Sequence, residues 1–133
     1  SLSGWETMMS LQFENLVLAN RMYIKNYLDI KPEEVIADNP FFQRATHRIP
    51  GCQIDYLIQT KFGNLYVCEV KFSKHPIGKE TIGEVQQKLE KLRYPKGFSC
   101  RPVLIHVNGV HEDVSNSGFF AEIIDFGRFL ISE

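Results

Sequence analysis

Two carboxylates and one lysine stand at spacings that bring them together in a short apolar part of the sequence. Residues 53–72 read QIDYLIQTKFGNLYVCEVKF, in which β-branched and aromatic residues alternate with others on both sides of Gly63. This pattern predicts two strands joined by a tight turn at Gly63. Because side chains alternate between the faces of a strand, Glu69 and Lys71 lie side by side on the second strand. Folding at Gly63 brings Asp55 of the first strand close to Glu69.

The chemistry that such a cluster suits is the binding of a hard divalent cation. Charged groups in an apolar sheet lose solvation unless they are paired or bind an ion. Mg²⁺ is usually held by one or two carboxylates, keeps several of its waters and meets a phosphate directly. Asp55 and Glu69 therefore predict a Mg²⁺ or Mn²⁺ site, with Lys71 near the attacking water or the phosphate.

An aspartate followed one strand later by Glu-x-Lys resembles the signature of the PD-(D/E)XK nuclease superfamily. The signature in this chain is Asp55 with Glu69-Val70-Lys71, although Gln53-Ile54 stand where the nominal motif has its proline. The resemblance implies that Asp55, Glu69 and the carbonyl of Val70 bind the metal ion. It also implies that Asp55, Glu69 and Lys71 catalyse the hydrolysis of DNA phosphodiesters.

A further carboxylate lies in the first predicted helix, which runs from about Trp5 to Leu28 without an internal Pro or Gly. This helix is expected to be mostly buried. Glu14 sits in its apolar middle, FENLVLA, where a carboxylate is rarely buried without a partner. The residues leave two readings open: a boundary glutamate that faces solvent or Arg21, and a functional group. The resemblance favours the second, since these nucleases often place a glutamate of the first helix beside the metal ion.

Basic residues flank the predicted site. Residues 29–40 predict a connection with a short strand near Val35–Ala37, and Phe41 to His47 predicts the first strand of the sheet. Cationic side chains gather at the turn into Asp55 and after the strand of Lys71: Arg44, His47, Arg48, Lys74 and Lys79. They are ordinary loop residues or, in the functional reading, contacts to DNA phosphates.

A second helix is predicted from about Lys79 to Arg93. Its apolar residues form one narrow stripe: Ile82, Val85, Leu89 and Leu92. At about 100° per residue, Gln86 falls on the flank of this stripe and Gln87 falls nearly opposite it, so Gln86 is the better placed of the two. The simpler interpretation is that Gln86 is an ordinary surface residue. The resemblance implies instead that Gln86 contacts phosphate or orients Lys71.

The rest of the chain completes an α/β order. Pro102 to Val107 predicts a buried strand parallel to the one that carries Glu69, with His106 as a hydrogen-bonded core histidine. Phe119 to Asp125 predicts a last strand, and Phe126 to Ile131 a short helix. The order α-β-β-β-α-β matches the restriction-endonuclease-like core, a central mixed sheet of four to five strands flanked by helices.

Composition limits the partners and the compartment. With 133 residues and 44% hydrophobic content, residues 1–133 are expected to form a single domain. Fifteen basic and 16 acidic residues give a net charge of −1, so a DNA surface must come from local clustering. Three cysteines without CxxC spacing favour reduced thiols in a cytoplasm. The sequence contains no recognisable membrane span, signal peptide, nucleotide-binding loop or histidine metal motif.

Residues 41–72 also look like the C-terminal nuclease-like domain of certain prokaryotic AAA-type ATPases. This resemblance implies a fragment of a longer ATPase, with DNA and the N-terminal ATPase region of the same chain as partners; an oligomer is compatible with it. Two functions stay open: a Mg²⁺-dependent nuclease, and a catalytically silent module that binds DNA or protein. Intact Asp55, Glu69 and Lys71 favour the first, whereas the small size and near-neutral charge favour the second.

Overall fold

Apolar patterning in this chain builds one sheet that is covered by helices on both faces. The computed structural model describes residues 4–131. The elements in chain order are α1 (Gly4–Ala19), α2 (Arg21–Tyr27), a 3-10 turn (Pro32–Glu34), β1 (Val35–Gln43), β2 (Cys52–Thr60), β3 (Asn64–Phe72), α3 (Glu80–Lys91), β4 (Ser99–Val107), α4 (Glu112–Ser115), β5 (Glu122–Asp125) and α5 (Gly127–Leu130). The predicted α/β class and the order α-β-β-β-α-β are confirmed.

The five strands lie in the order β1-β2-β3-β4-β5. β1, β2 and β3 form an antiparallel meander, and β4 and β5 add parallel to β3, with α3 as the crossover between β3 and β4. The predicted turn between β2 and β3 is confirmed, and both Phe62 and Gly63 adopt a φ of +73° there. Positive φ at two successive turn residues matches the right-handed twist of the flanking strands.

β4 starts earlier than expected, at Ser99, and so includes Pro102. The carbonyl of Pro102 accepts a hydrogen bond of 2.8 Å from the Ala121 N–H, on the side where β5 joins the sheet. The N–H and C=O of one residue point to the same side of a strand, so the N–H that proline lacks would also face β5. The first β4–β5 pair, Val103 with Glu122, comes one residue later. The proline therefore removes no bond to β3.

β1 runs from Val35 to Gln43, and the prediction of a strand over residues 41–47 is wrong at both ends. The strand can include Pro40 because β1 is an edge strand, where a missing ladder donor is tolerated. It ends at Gln43 because the side-chain amide of this residue closes the following loop, donating 2.8 Å hydrogen bonds to the carbonyls of Pro50 and Lys91.

A β-bulge lies opposite Pro40. The pairs on either side of it are Asn39–Leu57 and Phe41–Ile54. The single residue Pro40 therefore opposes two residues of β2, Asp55 and Tyr56, which is the arrangement of a bulge. Because of the extra residue, the alternation of β2 changes sides at this point, so Ile54 packs under α3 whereas Tyr56 packs under α1.

The first helix is not continuous. It breaks at Asn20, whose side-chain amide donates a 2.8 Å hydrogen bond to the Leu16 carbonyl. The expectation that it is mostly buried is also wrong, because α1 and α2 cover only one face of the sheet and bury Phe13, Val17 and Ile24. Every helix in the described part of the chain is too short or too polar to span a lipid bilayer.

Candidate active site

Asp55 takes its position from the bulge and from the point where β2 and β3 part. The last antiparallel pair of these strands is Tyr56 with Cys68. Beyond it, the Asp55 carboxylate takes the place of a ladder acceptor, and its Oδ2 accepts a 2.8 Å hydrogen bond from the Val70 N–H. Bulges re-aim side chains in this way next to functional sites.

Glu69 lies on β3 and is only 8% exposed. Its Oε1 accepts a 2.8 Å hydrogen bond from the Nζ of Lys88 on α3, and both side chains are largely shielded from solvent. The sequence analysis did not select Lys88. Its spacing could have revealed it, since Lys88 follows the buried Val85 by three residues and therefore lies on the sheet-facing side of α3.

Lys71 reaches the same site but bonds a different partner. Its Nζ donates a 2.6 Å hydrogen bond to Oε1 of Glu84, which is also on α3. Glu84 and Lys88 lie four residues apart on the helix, so α3 presents one acid and one amine to β3. The lysine in hydrogen-bond contact with the paired carboxylates is thus Lys88, whereas the expected lysine, Lys71, faces Glu84.

Glu14 faces the site from α1. It lines the same cavity as Asp55 and Glu69, and the reading of Glu14 as a partner of Arg21 is wrong. Arg21 instead donates to the carbonyl of Asp38 and to the side chain of Asn39. Burial and the nearby charge of Glu69 raise the pKa of Glu14.

The preference for Gln86 over Gln87 does not agree with the structure. Both glutamines are exposed, but only Gln87 lines a cavity together with Asp55 and Glu69. The prediction failed because it assumed that the site faces the apolar stripe of α3. The side of α3 that lines the site carries Glu84, Gln87 and Lys88, and this side is offset from the centre of the stripe.

Three cavities meet at Asp55. The first, of about 420 Å³, lies between the start of α1, the end of β3 and the start of α3, and its acidic lining is Glu6, Glu14, Asp55, Glu69 and Glu80. The second, of about 390 Å³, lies under α3 and contains Lys88 and Lys91. The third, of about 410 Å³, lies between α1 and β1. Asp55 lines all three, and Glu69 lines the first two.

The carboxylates of the site are short of compensating positive charge. Burial, more than any other cause, raises the pKa of Asp55, and the nearby Glu14 adds to the shift. Burial and the charge of Asp55 raise the pKa of Glu69 in spite of its bond to Lys88. Burial alone would lower the pKa of Lys88, yet its bond to Glu69 raises it above the ordinary value. Lys88 and Lys71 offset only part of this effect, which favours a further cation.

The residues fit a divalent ion that uses few protein ligands. Within residues 4–131, no three His, Cys, Asp or Glu side chains converge to form a complete metal cage. Asp55 uses Oδ2 and Glu69 uses Oε1 in hydrogen bonds, which leaves one oxygen on each carboxylate without a partner among the described residues. Mg²⁺ binds in this manner, through one or two carboxylates with waters completing its shell.

The basic residues expected to contact DNA do not line the three cavities. Arg44, His47 and Arg48 lie exposed in the loop between β1 and β2. Lys79 is exposed at the start of α3 beside the first cavity, and the Nζ of Lys74 lies 4.4 Å from the centre of the Trp5 ring. Their role as phosphate contacts stays a prediction, as does metal binding by the Val70 carbonyl.

Comparison with known proteins bears on the fold. No family model matches the sequence, and no curated protein matches it. The chain is similar to the crystal structure of a repair endonuclease from Pyrococcus abyssi, with a TM-score of 0.52 and 16% sequence identity. The match covers 94% of this chain and 47% of that one, so this chain spans less than half of its neighbour. At this identity the likeness shows the fold, an α/β restriction-endonuclease-like core.

Proposed function

We propose that this chain is a Mg²⁺- or Mn²⁺-dependent nuclease of the PD-(D/E)XK type that hydrolyses DNA phosphodiesters. One observation carries the proposal: Asp55 and Glu69 converge where β2 and β3 part and both line the acidic cavity, and one oxygen of each carboxylate is outside the hydrogen bonds among the described residues. The neighbour of similar fold is described as a repair endonuclease, which supports the same class of reaction.

Each residue of the site has a distinct task in this proposal. Asp55 and Glu69 would hold the ion, with Glu14 nearby at the cavity wall, and a bound ion would polarise the phosphate and lower the pKa of a water. Hydrolysis then forms a bond between a water oxygen and phosphorus and breaks one phosphorus–oxygen ester bond, whose oxygen leaves with a proton. Lys88 holds Glu69 in place through its 2.8 Å hydrogen bond. Lys71 stabilises the charge that develops on the phosphate once its ammonium leaves Glu84.

A second candidate function is favoured by the ion pairs of the site. Glu69 and Lys71 are already bonded to Lys88 and Glu84, so their charges are partly satisfied without metal or substrate. A silent nuclease-like module that binds DNA or protein would retain such pairs as structural contacts. In either function, we propose that the chain serves as the accessory domain of a cytoplasmic ATPase, for which the sequence resemblance is the support.

Cleavage of supercoiled plasmid and of short single-stranded DNA in Mg²⁺ or Mn²⁺ tests the nuclease proposal. We expect Asp55→Asn and Glu69→Gln to lose activity by about 100-fold or more, because each removes an interaction with the ion or the transition state. Glu90→Gln, an equivalent change at an exposed position of α3, is the matched control and should keep full activity. Equal activity of Glu69→Gln and Glu90→Gln would refute the nuclease; a wild type silent on both DNAs would favour the binding module.

A further inference from the structure

The third cavity is an open groove with an apolar wall that leads to Asp55. Its wall on α1 carries Leu11 and Leu18, which lie seven residues apart and therefore on one side of the helix, with Glu14 between them. Its wall on β1 carries Phe42. Phe42 is 67% exposed and Leu11 is 57% exposed, although both border a groove next to buried charges. These two side chains give the groove apolar surface that is accessible to a ligand.

The β-bulge sets the relationship between this groove and the candidate metal ligands. Phe42 pairs with Gln53 across the β1–β2 ladder, so the ring and the amide stand side by side on the α1 face. Gln53 and Asp55 both line the groove, and two residues of a strand span about 7 Å at most. The groove thus offers an aromatic face, a hydrogen-bonding amide and a carboxylate in succession.

We propose that this groove binds an unpaired nucleobase of the DNA strand whose phosphate lies at Asp55 and Glu69, and that the substrate is single-stranded DNA or DNA with unpaired bases. The proposal rests on the proposed nuclease function. A base and its own phosphate are separated by one sugar, which matches the short step from Phe42 and Gln53 to Asp55. A phenyl face accepts any base by stacking, and an amide bonds the base edges that pairing would otherwise hide.

The continuity of the groove with the site argues for this occupant. The groove and the first cavity share Glu14 and Asp55, so a ligand that fills the groove touches the carboxylates of the site. A protein segment docked there would meet these acids with apolar side chains, whereas a nucleotide places its base on the apolar wall and its phosphate at the cation-binding end. A base inside an intact duplex cannot reach a groove between a helix and a strand.

Binding measured in Ca²⁺, with cleavage assayed separately in Mg²⁺, separates this proposal from the nuclease proposal, and the ion offsets the repulsion between the acidic residues and the phosphates. The probes are a fluorescein-labelled 12-nucleotide oligothymidylate, the same length of abasic strand, and a duplex. The abasic strand keeps the phosphates and lacks the bases. We expect the oligothymidylate to bind tightest, Phe42→Ala to weaken it by about 5- to 150-fold, and Phe42→Tyr to restore it.

The matched control is Phe62→Ala at the β2–β3 turn, which removes a phenyl ring that is 89% exposed. It should leave oligothymidylate binding unchanged. Equal affinity for the abasic strand, equal effects of Phe42→Ala and Phe62→Ala, or no oligonucleotide binding would each overturn the proposal. Self-association lost in Phe42→Ala but not in Phe62→Ala would assign the groove to a second copy instead. If Phe42-dependent binding is found in a protein that does not cleave, the groove stands and the nuclease falls.

Discussion

The Nζ of Lys88 lies 2.8 Å from Oε1 of Glu69, so a helix ammonium neutralises one of the two candidate metal ligands. Glu69 is buried and stands next to Asp55, and its charge would otherwise be uncompensated. A metal ion bound at the carboxylate oxygens that make no hydrogen bond would neutralise the negative charge of Glu69 together with Lys88. We therefore predict that this ion pair couples the stability of the fold to binding of a cation at the site.

Replacing Lys88 by Met tests this coupling. The change keeps an unbranched side chain of nearly the same length and removes the charge, which leaves Glu69 buried without its hydrogen-bonded partner. Because both side chains retain some contact with solvent, we expect a loss of about 1–3 kcal/mol of unfolding free energy without metal, measured by urea denaturation. Millimolar Mg²⁺ should recover more stability in this variant than in the wild type, since the ion replaces the missing cation.

Lys91→Met is the matched control, because Lys91 lines the same cavity and its ammonium makes no hydrogen bond to a described residue. It should change stability by less than about 0.5 kcal/mol. A Lys88→Met protein that behaves like Lys91→Met, with or without Mg²⁺, would show that the Lys88–Glu69 bond is not the link between fold and site.

Glu84→Gln should release Lys71 towards the carboxylates. The Lys71–Glu84 pair is half exposed, and such pairs hold their partners by about 1 kcal/mol or less. Single-turnover cleavage should therefore rise by about fivefold at most, and the gain should vanish in the double variant Glu84→Gln/Lys71→Met. A fall in the rate would mean that Glu84 itself takes part in the reaction.

His106 makes the stability of the fold depend on pH. It is 5% exposed, and its Nδ1 has no hydrogen-bond partner among the described residues, which corrects the expectation of a bonded core histidine. Burial lowers the pKa of His106 below its ordinary value of 6.5, with partial opposition from Asp125. Below that value the unfolded chain takes up a proton that the folded chain resists, so stability falls as pH drops.

His106→Leu should flatten this dependence. Urea unfolding at pH 7 and pH 5.5 should show a smaller loss of stability in this variant than in the wild type, because the leucine does not titrate. His47→Leu, which removes an imidazole from an exposed loop position, is the matched control. Identical slopes in wild type and His106→Leu would assign the acid sensitivity to other groups.

The sequence predicted those elements of the fold that follow from strand alternation or from helix periodicity. The β2–β3 hairpin, the parallel β4 and the apolar stripe of α3 follow from local patterns, and all three were confirmed. The β1 boundaries were wrong because Pro40 reads as a break, whereas an edge strand with a bulge tolerates it. No local pattern predicts a bulge, since it depends on how two strands pair.

The candidate site was predicted only in part, because some of its contacts also depend on how separate elements pack together. Asp55, Glu69 and Glu14 could be selected because carboxylates in apolar segments require an explanation. Lys88 was missed and Gln86 was preferred because the rotation of α3 over the sheet is set by packing of the whole helix. The bonds from Lys88 to Glu69 and from Lys71 to Glu84 depend on that rotation.

The central claim, that Asp55 and Glu69 form a cation site, is tested most directly by titrating the protein with Mn²⁺ in a calorimeter at pH 7. We predict saturable binding by the wild type and by Glu90→Gln, and its loss in Asp55→Asn and in Glu69→Gln. Because burial raises the pKa of both carboxyl groups, protons should compete with the ion increasingly as the pH is lowered, and Mn²⁺ binding should weaken. Mn²⁺ binding of equal strength in Glu69→Gln and the wild type would contradict the account.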